Sequence, residues 1–320
     1  MELNEILSAL EENTSRKFPR LAVEEAIAQQ EAITPFLLKA LEDAKTNIEE
    51  IDKKPGYFLH IYALYLLAQF REPKAYPLVV DFFSIPGNVT LDVTGDLVTE
   101  DLGRILASVY EGDLNPIKQL IETPTVNEYV RGAALNSFLT LAAQDVISRQ
   151  QALQYFQTLF STFEKADSHM LTNLIMAICS LYPTEELLQL IDQAYEKKLV
   201  DKFFFARSDV DYYLHLGREG VLKELREDDN YSLVEDTVAE MEWWACFQEV
   251  KPKSTPTTPM PTIPREKPRS TFTIPIDQPT STPQIEEFWP APQSPKSKAQ
   301  KKKKRQMQKQ SRKKNRSKKK

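Results

Sequence analysis

Cysteine, histidine and glycine are scarce in this sequence. Its 320 residues include 2 Cys, 3 His and 8 Gly. Cys179 and Cys246 form no CxxC pair and no disulfide framework, so nothing in the sequence indicates an oxidising compartment. The histidines stand at positions 60, 169 and 215, and none has a second His or Cys at metal-ligand spacing. We therefore predict that the protein holds no metal and no cofactor.

Motifs that are typical of catalysis or of membranes are missing as well. The sequence has no G-x-S-x-G, no phosphate-binding glycine loop and no HExxH. Its longest apolar run is too short to span a bilayer. The first residues, MELNEILSALEEN, are amphipathic and acidic, unlike a signal peptide. These absences predict a cytoplasmic protein without nucleophilic or metal-assisted chemistry.

Charge is distributed unevenly along the chain. The whole sequence has 41 basic and 46 acidic residues and a net charge of −5, but residues 1–250 carry −21 and residues 296–320 carry +15. Proline divides the chain at the same place, since 12 of the 21 prolines lie between positions 252 and 295. Such a segment buries too little apolar surface to offset the entropy of ordering. We predict a folded domain at 1–250, a disordered Pro/Thr/Ser-rich linker at 251–295 and a disordered polybasic tail at 296–320.

Apolar residues in the first 250 positions recur every three or four residues, which is typical of amphipathic helices. Helix starts are predicted at Thr34-Pro35 and at Thr184, where a capping side chain precedes an apolar pattern. Alternating patterns are rare, and NVTLDV at 88–93 is a weak strand candidate. The sequence therefore predicts an all-α domain.

The predicted helices come in pairs. HIYALYLLAQF and AYPLVVDFFS are separated by a tight break, and the same order recurs in residues 128–163 and 169–198. Each pair takes roughly 35–45 residues, the period of stacked helical hairpins, which share one core because a single hairpin cannot bury its apolar face. We predict an α-α superhelix of stacked hairpins.

One of these helices resembles a known repeat signature. The segment VRGAALNSFLTL, which begins at Val130, is similar to the signature of HEAT repeats, and residues 63–79 resemble the two halves of a HEAT hairpin. The resemblance implies a HEAT-like fold. It also implies a structural role for Arg131, since an arginine at that position in HEAT repeats pairs with a carboxylate or carbonyl of the adjacent repeat.

Residues from about 4 to about 247 resemble a bacterial family known as domain of unknown function 1186. The segments that carry this resemblance are FPRLAVEEAI, YLLAQFRE, GDLVTEDLGRILASV and NEYVRGAAL, in the order of the family. The resemblance implies no activity and no catalytic residues. Many members end in a zinc-binding SEC-C motif, but this chain has no cysteine after Cys246 and ends in Lys and Arg. Zinc binding by the tail is therefore not predicted.

The polybasic tail predicts a polyanionic partner. Cations that neutralise phosphates release counterions, which gives sequence-independent and salt-sensitive binding to RNA or a ribonucleoprotein. Peripheral contact with an anionic membrane and association with the chain's own acidic domain are the alternatives. No aromatic residue is present in the tail to stack on bases, so base recognition is not expected. The residues expected to bind the polyanion are Lys301, Lys302, Lys303, Lys304, Arg305, Arg312, Lys313, Lys314, Arg316, Lys318, Lys319 and Lys320.

The linker contains one candidate docking peptide. Phe288 and Trp289 are aromatic residues in a polar segment, IEEFWPAP, and aromatic anchors dominate binding energies at interfaces. They are interpreted either as a partner-binding site or as incidental apolar residues in a spacer.

The end of the domain is both acidic and aromatic. Trp243, Trp244 and Phe247 are interpreted as a cap over the last hairpin, and secondarily as a partner groove. The acidic residues before them, between positions 224 and 242, are interpreted as a solvated helix surface or as an acidic docking face.

These observations lead to a functional hypothesis and its alternatives. The hypothesis is a non-enzymatic adaptor whose helical domain binds a protein partner and whose tail tethers the complex to RNA. A competing hypothesis is a lyase-type enzyme with a pocket around His60, Tyr62 or Arg131 on the concave face. A third is a protein-binding module with a self-inhibitory tail.

Overall fold

The computed structural model describes residues 1–13, 15–54, 56–163 and 167–248. Within these ranges the chain forms sixteen α-helices, two short 3-10 helices and no β-strand. None of the described helices has the length and apolar content needed to cross a membrane. The helices are α1 (Leu3–Glu11), α2 (Arg20–Ala28), α3 (Gln30–Thr46), α4 (Ile48–Asp52), α5 (Leu59–Phe70), α6 (Ala75–Phe83), α7 (Val89–Thr94), α8 (Leu97–Glu100), α9 (Leu102–Ser108), α10 (Asn115–Glu122), α11 (Glu128–Ala143), α12 (Arg149–Phe163), α13 (Ser168–Ser180), α14 (Glu185–Glu196), α15 (Arg207–Glu227) and α16 (Thr237–Met241).

The hairpins stack side by side, as the sequence predicts. Helices α5, α9, α11 and α13 contact one another in that order and are called the first layer here. Helices α6, α10 and α12 pack against this layer, so that each hairpin contributes to both sides of one continuous apolar core. The all-α prediction is confirmed.

Glycine allows the closest approach within the first layer. A Cβ atom on Gly103 of α9 would lie 2.9 Å from the backbone oxygen of Ala133 on α11. Since real Cβ atoms do not approach backbone oxygen so closely, the packing of α9 on α11 requires glycine at this position.

The strand candidate at 88–93 is wrong. The segment forms helix α7, in which the Thr94 hydroxyl donates a 2.6 Å hydrogen bond to the Thr90 carbonyl, one turn earlier. Both threonines are buried, and α7 packs on α4. Tertiary packing therefore overrides the β-propensity of Val and Thr.

One of the two predicted helix starts is confirmed and the other is wrong. Thr184 caps α14, and its hydroxyl accepts a 3.3 Å hydrogen bond from the Leu187 N–H. Helix α3, in contrast, begins at Gln30, four residues before Thr34, and contains Pro35. Pro35 lacks the N–H that would bond to the Glu31 carbonyl, and the helix tolerates this loss because that turn is exposed.

The C-terminal part of the domain, residues 228–248, returns to the N-terminal helices and is called the strap here. It contacts α9 and α11 at its start and α5 and α2 further on. Trp244 packs on Tyr65 of α5 with ring centroids 5.6 Å apart, and Phe247 packs on Phe18 at 5.3 Å. The prediction that these aromatic residues cap the last hairpin is therefore wrong. They cover the first hairpins, and Trp243 stays exposed.

Candidate functional site

The first layer binds the main chain of the strap around residues 232–236, the segment between its first 3-10 helix and α16. Five side chains of α5, α9, α11 and their ends make hydrogen bonds to its main chain. The bonds are Tyr231 O from Gln144 at 3.2 Å, Ser232 O from Arg104 at 2.9 Å, Val234 O from Arg71 at 2.7 Å, Val234 N to Ser108 at 3.0 Å and Thr237 N to Gln69 at 2.8 Å. This face of the first layer therefore contacts the strap through the main chain of the strap.

Arg104 is at the centre of this interface and is 7% exposed. Its guanidinium bonds to Asp101 at 2.7 Å and to Glu240 of the strap at 2.8 Å. Burial lowers the pKa of Arg104, but the two carboxylates outweigh this effect and the net pKa is raised. The Tyr65 hydroxyl donates to Asp101, and burial together with this carboxylate raises the tyrosine pKa well above its ordinary value. The network therefore holds the strap through charge-assisted hydrogen bonds between Arg104 and the two carboxyl groups.

The same face stays open beyond the strap. A groove of about 450 Å³ lies over the N-terminal halves of α11 and α13. It is closed on one side by α8 and on the other by the loop between α14 and α15. Its lining residues are Thr99, Tyr129, Gly132, Ala133, Asn136, Ser168, His169, Thr172, Asn173, Met176, Asp201 and Phe204.

Three polar residues that line the groove recur with the period of the hairpins. Thr99, Asn136 and Asn173 are each separated from the next by 37 residues, and this set is called the ladder here. No hydrogen bond joins the amide of Asn136 or Asn173 to another residue that the structure describes. Gly132 brings α11 close to α13, since a Cβ there would lie 3.4 Å from the Asn173 amide nitrogen. Unengaged amides that line a groove suit hydrogen bonding to a peptide backbone.

Apolar side chains form the rim of the groove. Phe204 is 64% exposed, and Tyr129 and Met176 are each 38% exposed. Phe203, which packs edge-on against Phe204, extends the rim outward. Exposed apolar residues grouped around a polar floor are typical of an interaction site.

The ionisable groups in the groove have structural partners. The Asp201 carboxylate accepts a 2.9 Å hydrogen bond from the Phe203 N–H, and the Asp201 N–H donates to Thr172 at 3.1 Å. The His169 ring packs edge-on against Tyr129 with centroids 5.6 Å apart. This arrangement positions the loop and the rim, and the groove as a whole suits recognition more than proton transfer.

The residues that the lyase hypothesis requires do not meet in this groove. His60 and Tyr62 of α5 are 0% and 1% exposed, and Arg131 is 5% exposed. None of the three lines the groove. They are core residues of two different helices.

His60 is a buried neutral base. Its Nε2 lies 3.0 Å from the Val93 carbonyl of α7, and its Nδ1 has no partner among the described residues. Burial lowers the pKa of His60 to about 4, although the bond to Val93 opposes the shift. The Nε2–H tautomer, which donates to this carbonyl, is the form that the site accommodates.

Arg131 links neighbouring hairpins. Its Nε donates to the Ile121 carbonyl of α10 at 2.9 Å, and its Nη1 lies 2.6 Å from the Asp167 carboxylate. Asp167 also caps α13 by accepting from the Met170 N–H. The guanidinium lies over the Phe163 ring at 5.5 Å.

The remaining predicted residues lie either in the acidic cluster before residue 243 or outside the described part of the chain. Of the acidic cluster before residue 243, Glu240 pairs with buried Arg104 and belongs to the strap interface, whereas Glu242 pairs with Arg20 of α2 at an exposed site. Phe288, Trp289 and the tail residues between 301 and 320 lie outside the described residues.

The ladder, the strap and the role of Arg104 at the strap interface were not predicted from the sequence. The 37-residue spacing of Asn136 and Asn173 could have indicated the ladder, because this spacing matches the hairpin period. Nothing local marked Arg104, whose partner Glu240 is 136 residues away.

Comparisons with known proteins add a family but no activity. The model of the family described as "Protein of unknown function (DUF1186)" matches residues 1–248. An uncharacterised protein of Chlamydia muridarum (strain MoPn / Nigg) is 41% identical over 246 residues, which cover 76% of this chain and 97% of the relative. An uncharacterised protein of Chlamydia trachomatis serovar D is also 41% identical, over 76% of this chain and 96% of the relative. No solved structure matches the chain significantly.

Proposed function

Since the chain belongs to the DUF1186 family, whose description names no activity, we propose its function from the geometry of the groove. The protein is a non-enzymatic, HEAT-like scaffold that holds an extended segment of a protein partner in the groove over α11 and α13. Its polybasic tail tethers the complex to RNA.

One observation carries the first part of the proposal. The first layer already holds a non-helical segment of the strap, residues 232–236, together with the helix ends that flank it, through side-chain bonds to the main chain. The open groove lies on the same face and offers Asn136 and Asn173 in the same role. Each such bond contributes about 1 kcal/mol, and rim aromatics add anchors for side chains of the partner.

Selection of peptides from a random display library against the full chain tests this part. We expect the selected peptides to be extended, apolar-anchored sequences whose affinity falls about thirtyfold in the Asn136→Ala/Asn173→Ala variant, because two backbone hydrogen bonds of about 1 kcal/mol each are lost. The matched control is Asn230→Ala, an asparagine of the strap outside the groove, which should leave the affinity unchanged. Peptides that bind both variants equally would contradict the groove as the binding site.

The charge of the tail supports the second part of the proposal, binding to RNA. Residues 296–320 have a net charge of +15 with no acidic residue. If about five of these cations neutralise phosphates, RNA affinity falls about a hundredfold between 50 and 200 mM salt. The residues proposed to do so are Lys301, Lys302, Lys303, Lys304, Arg305, Arg312, Lys313, Lys314, Arg316, Lys318, Lys319 and Lys320.

Deletion of residues 296–320 is expected to abolish salt-sensitive retention of a single-stranded RNA while the thermal melting of the domain stays the same. Filter binding at several salt concentrations measures how steeply RNA affinity falls as salt increases. Vesicles with and without anionic lipid, run in parallel, reveal a membrane preference instead. RNA binding that survives the deletion would contradict the proposal.

A further inference from the structure

A second pocket lies at the other ends of α11 and α13 from the groove. It has a volume of about 310 Å³ and is bordered by the C-terminal ends of these two helices, the loop before α12 and the second half of α15. Ligand pockets in proteins have volumes of roughly 300–1,000 Å³, so this one has room for a small ligand. None of its lining residues lines the groove, so the two sites are separate.

Arg149 brings a positive charge to this pocket without a carboxylate to balance it. Its Nε donates to the Leu181 carbonyl at 2.5 Å and its Nη2 donates to the Tyr182 carbonyl, so the end of α13 holds the side chain in place. No hydrogen bond joins its Nη1 to another residue that the structure describes. Arg104 and Arg131, in contrast, each contact a carboxylate. The Arg149 guanidinium therefore has a fixed orientation and an unused donor.

Two more arginines belong to this site. Burial lowers the pKa of the Arg149 guanidinium, and the nearby positive charge of Arg218 lowers that pKa further. Arg218 is exposed and has no carboxylate partner among the described residues. Arg226 lines the pocket and pairs with Asp145, the acidic residue of the lining, at 3.1 Å. Arg149 and Arg218 therefore leave two positive charges unbalanced, in a domain whose net charge is −21.

The second half of α15 aligns Arg218 with the pocket. Gly217 interrupts this helix with a φ of 73° and a ψ of 165°, a backbone region that is essentially restricted to glycine. The helix resumes at Arg218, and the lining residues Leu222, Leu225 and Arg226 follow by four, seven and eight positions. Such spacing places all four residues on one helix face. Arg218 therefore stands at the edge of the pocket, one turn from its wall.

We propose that this pocket binds a small phosphate monoester, a binding function that goes beyond the proposed scaffold role. The two unbalanced guanidinium groups match the two negative charges of a phosphate group, and the planar fork of arginine suits phosphate oxygens because it donates two parallel hydrogen bonds. Leu181, Leu222 and Leu225 provide an apolar wall for the uncharged part of the ligand. The small volume favours a free small molecule over a phosphorylated protein segment.

Isothermal titration of full-length chains with phenyl phosphate tests this site. We expect the affinity to fall about tenfold in Arg218→Ala, because a charge-assisted hydrogen bond is lost, and about a hundredfold in Arg218→Glu, because a carboxylate there repels the ligand. Lys223→Ala and Lys223→Glu are the matched controls and should bind as the wild type does. Lys223 is exposed on the same helix, has no ion pair among the described residues and does not line the pocket. The polybasic tail is the same in all these chains, so the differences isolate the pocket.

Phenyl sulfate has a similar shape but a single negative charge, and we expect it to bind about tenfold more weakly than phenyl phosphate. Equal affinities of the wild type and Arg218→Ala for phenyl phosphate, or equal losses in the Arg218 and Lys223 variants, would overturn the inference. Tighter binding of a phosphoserine peptide than of phenyl phosphate would overturn the assignment to a small molecule. Thermal melting should be the same in all four variants, since both side chains are exposed. The Asn136→Ala/Asn173→Ala chain should bind phenyl phosphate as the wild type does, so this site and the peptide groove can fail independently.

Discussion

Replacing Arg104 with alanine is expected to lower the free energy of unfolding by about 3–5 kcal/mol. The substitution removes the cation that pairs with two largely buried carboxylates, Asp101 and Glu240, and leaves Asp101 with only the Tyr65 hydroxyl as a partner among the described residues. It also removes the bond to the Ser232 carbonyl that fixes the strap. Denaturant unfolding of the full chain measures the loss, and faster proteolysis between residues 228 and 248 would report detachment of the strap.

The matched control is Arg20→Ala. Arg20 pairs with Glu242 of the same strap, but both side chains are substantially exposed. Exposed ion pairs contribute about 0–1 kcal/mol, so this variant should stay close to the wild type. If the two variants lost the same stability, the strap would not depend on the Arg104 network and its role as a built interface would be wrong.

Acidification is expected to destabilise the domain through His60, by about 3 kcal/mol between pH 7.5 and pH 4. The pKa of His60 is about 4 in the folded protein and about 6.5 in the unfolded chain. The unfolded state therefore binds a proton first, and stability falls as the pH drops through 6.5 and continues to fall until it reaches 4. Denaturant titrations at several pH values measure this slope.

His60→Gln should flatten the slope, because glutamine does not titrate, even if it lowers stability at pH 7.5. Carboxylates titrate in both proteins, so the difference between the two slopes isolates His60. Thr90→Val, a substitution without a titrating group in α7, serves as the control and should keep the wild-type slope. Identical slopes for the wild type and His60→Gln would show that His60 is not the buried neutral base that the structure describes.

Much of the fold followed from local signals in the sequence. The apolar period predicted the paired helices, and Thr184 predicted the start of α14, since a cap and the core face it precedes are both local. The strand candidate at 88–93 failed because Thr90 and Thr94 are buried by α4 and the core, which no local pattern reveals. Thr34-Pro35 predicts a start of α3 that is four residues too late. Proline usually stands in the first turn of a helix, but the exposed turn at Pro35 tolerates it inside α3.

The candidate site was harder to predict, because its parts are distant in the sequence. In the sequence, Glu240 is one of many acidic residues near the end of the domain. Only the packing of the strap on the first layer brings it beside Arg104. Asn136 and Asn173 were ordinary polar residues of amphipathic helices until the register of the first layer aligned them. Contacts across more than a hundred residues depend on the tertiary packing, and sequence periodicity does not encode them.

Photocrosslinking from the rim tests the central claim, that the groove over α11 and α13 holds an extended polypeptide segment. A photoreactive phenylalanine analogue replaces Met176, which is 38% exposed on the rim, or Leu21, which is 62% exposed on α2. Mass spectrometry then identifies the attached segment in the full chain, with and without a selected peptide. We predict that the added peptide is attached at position 176 only and that this attachment is lost in the Asn136→Ala/Asn173→Ala background. Equal and scattered attachment at positions 176 and 21 would contradict the account.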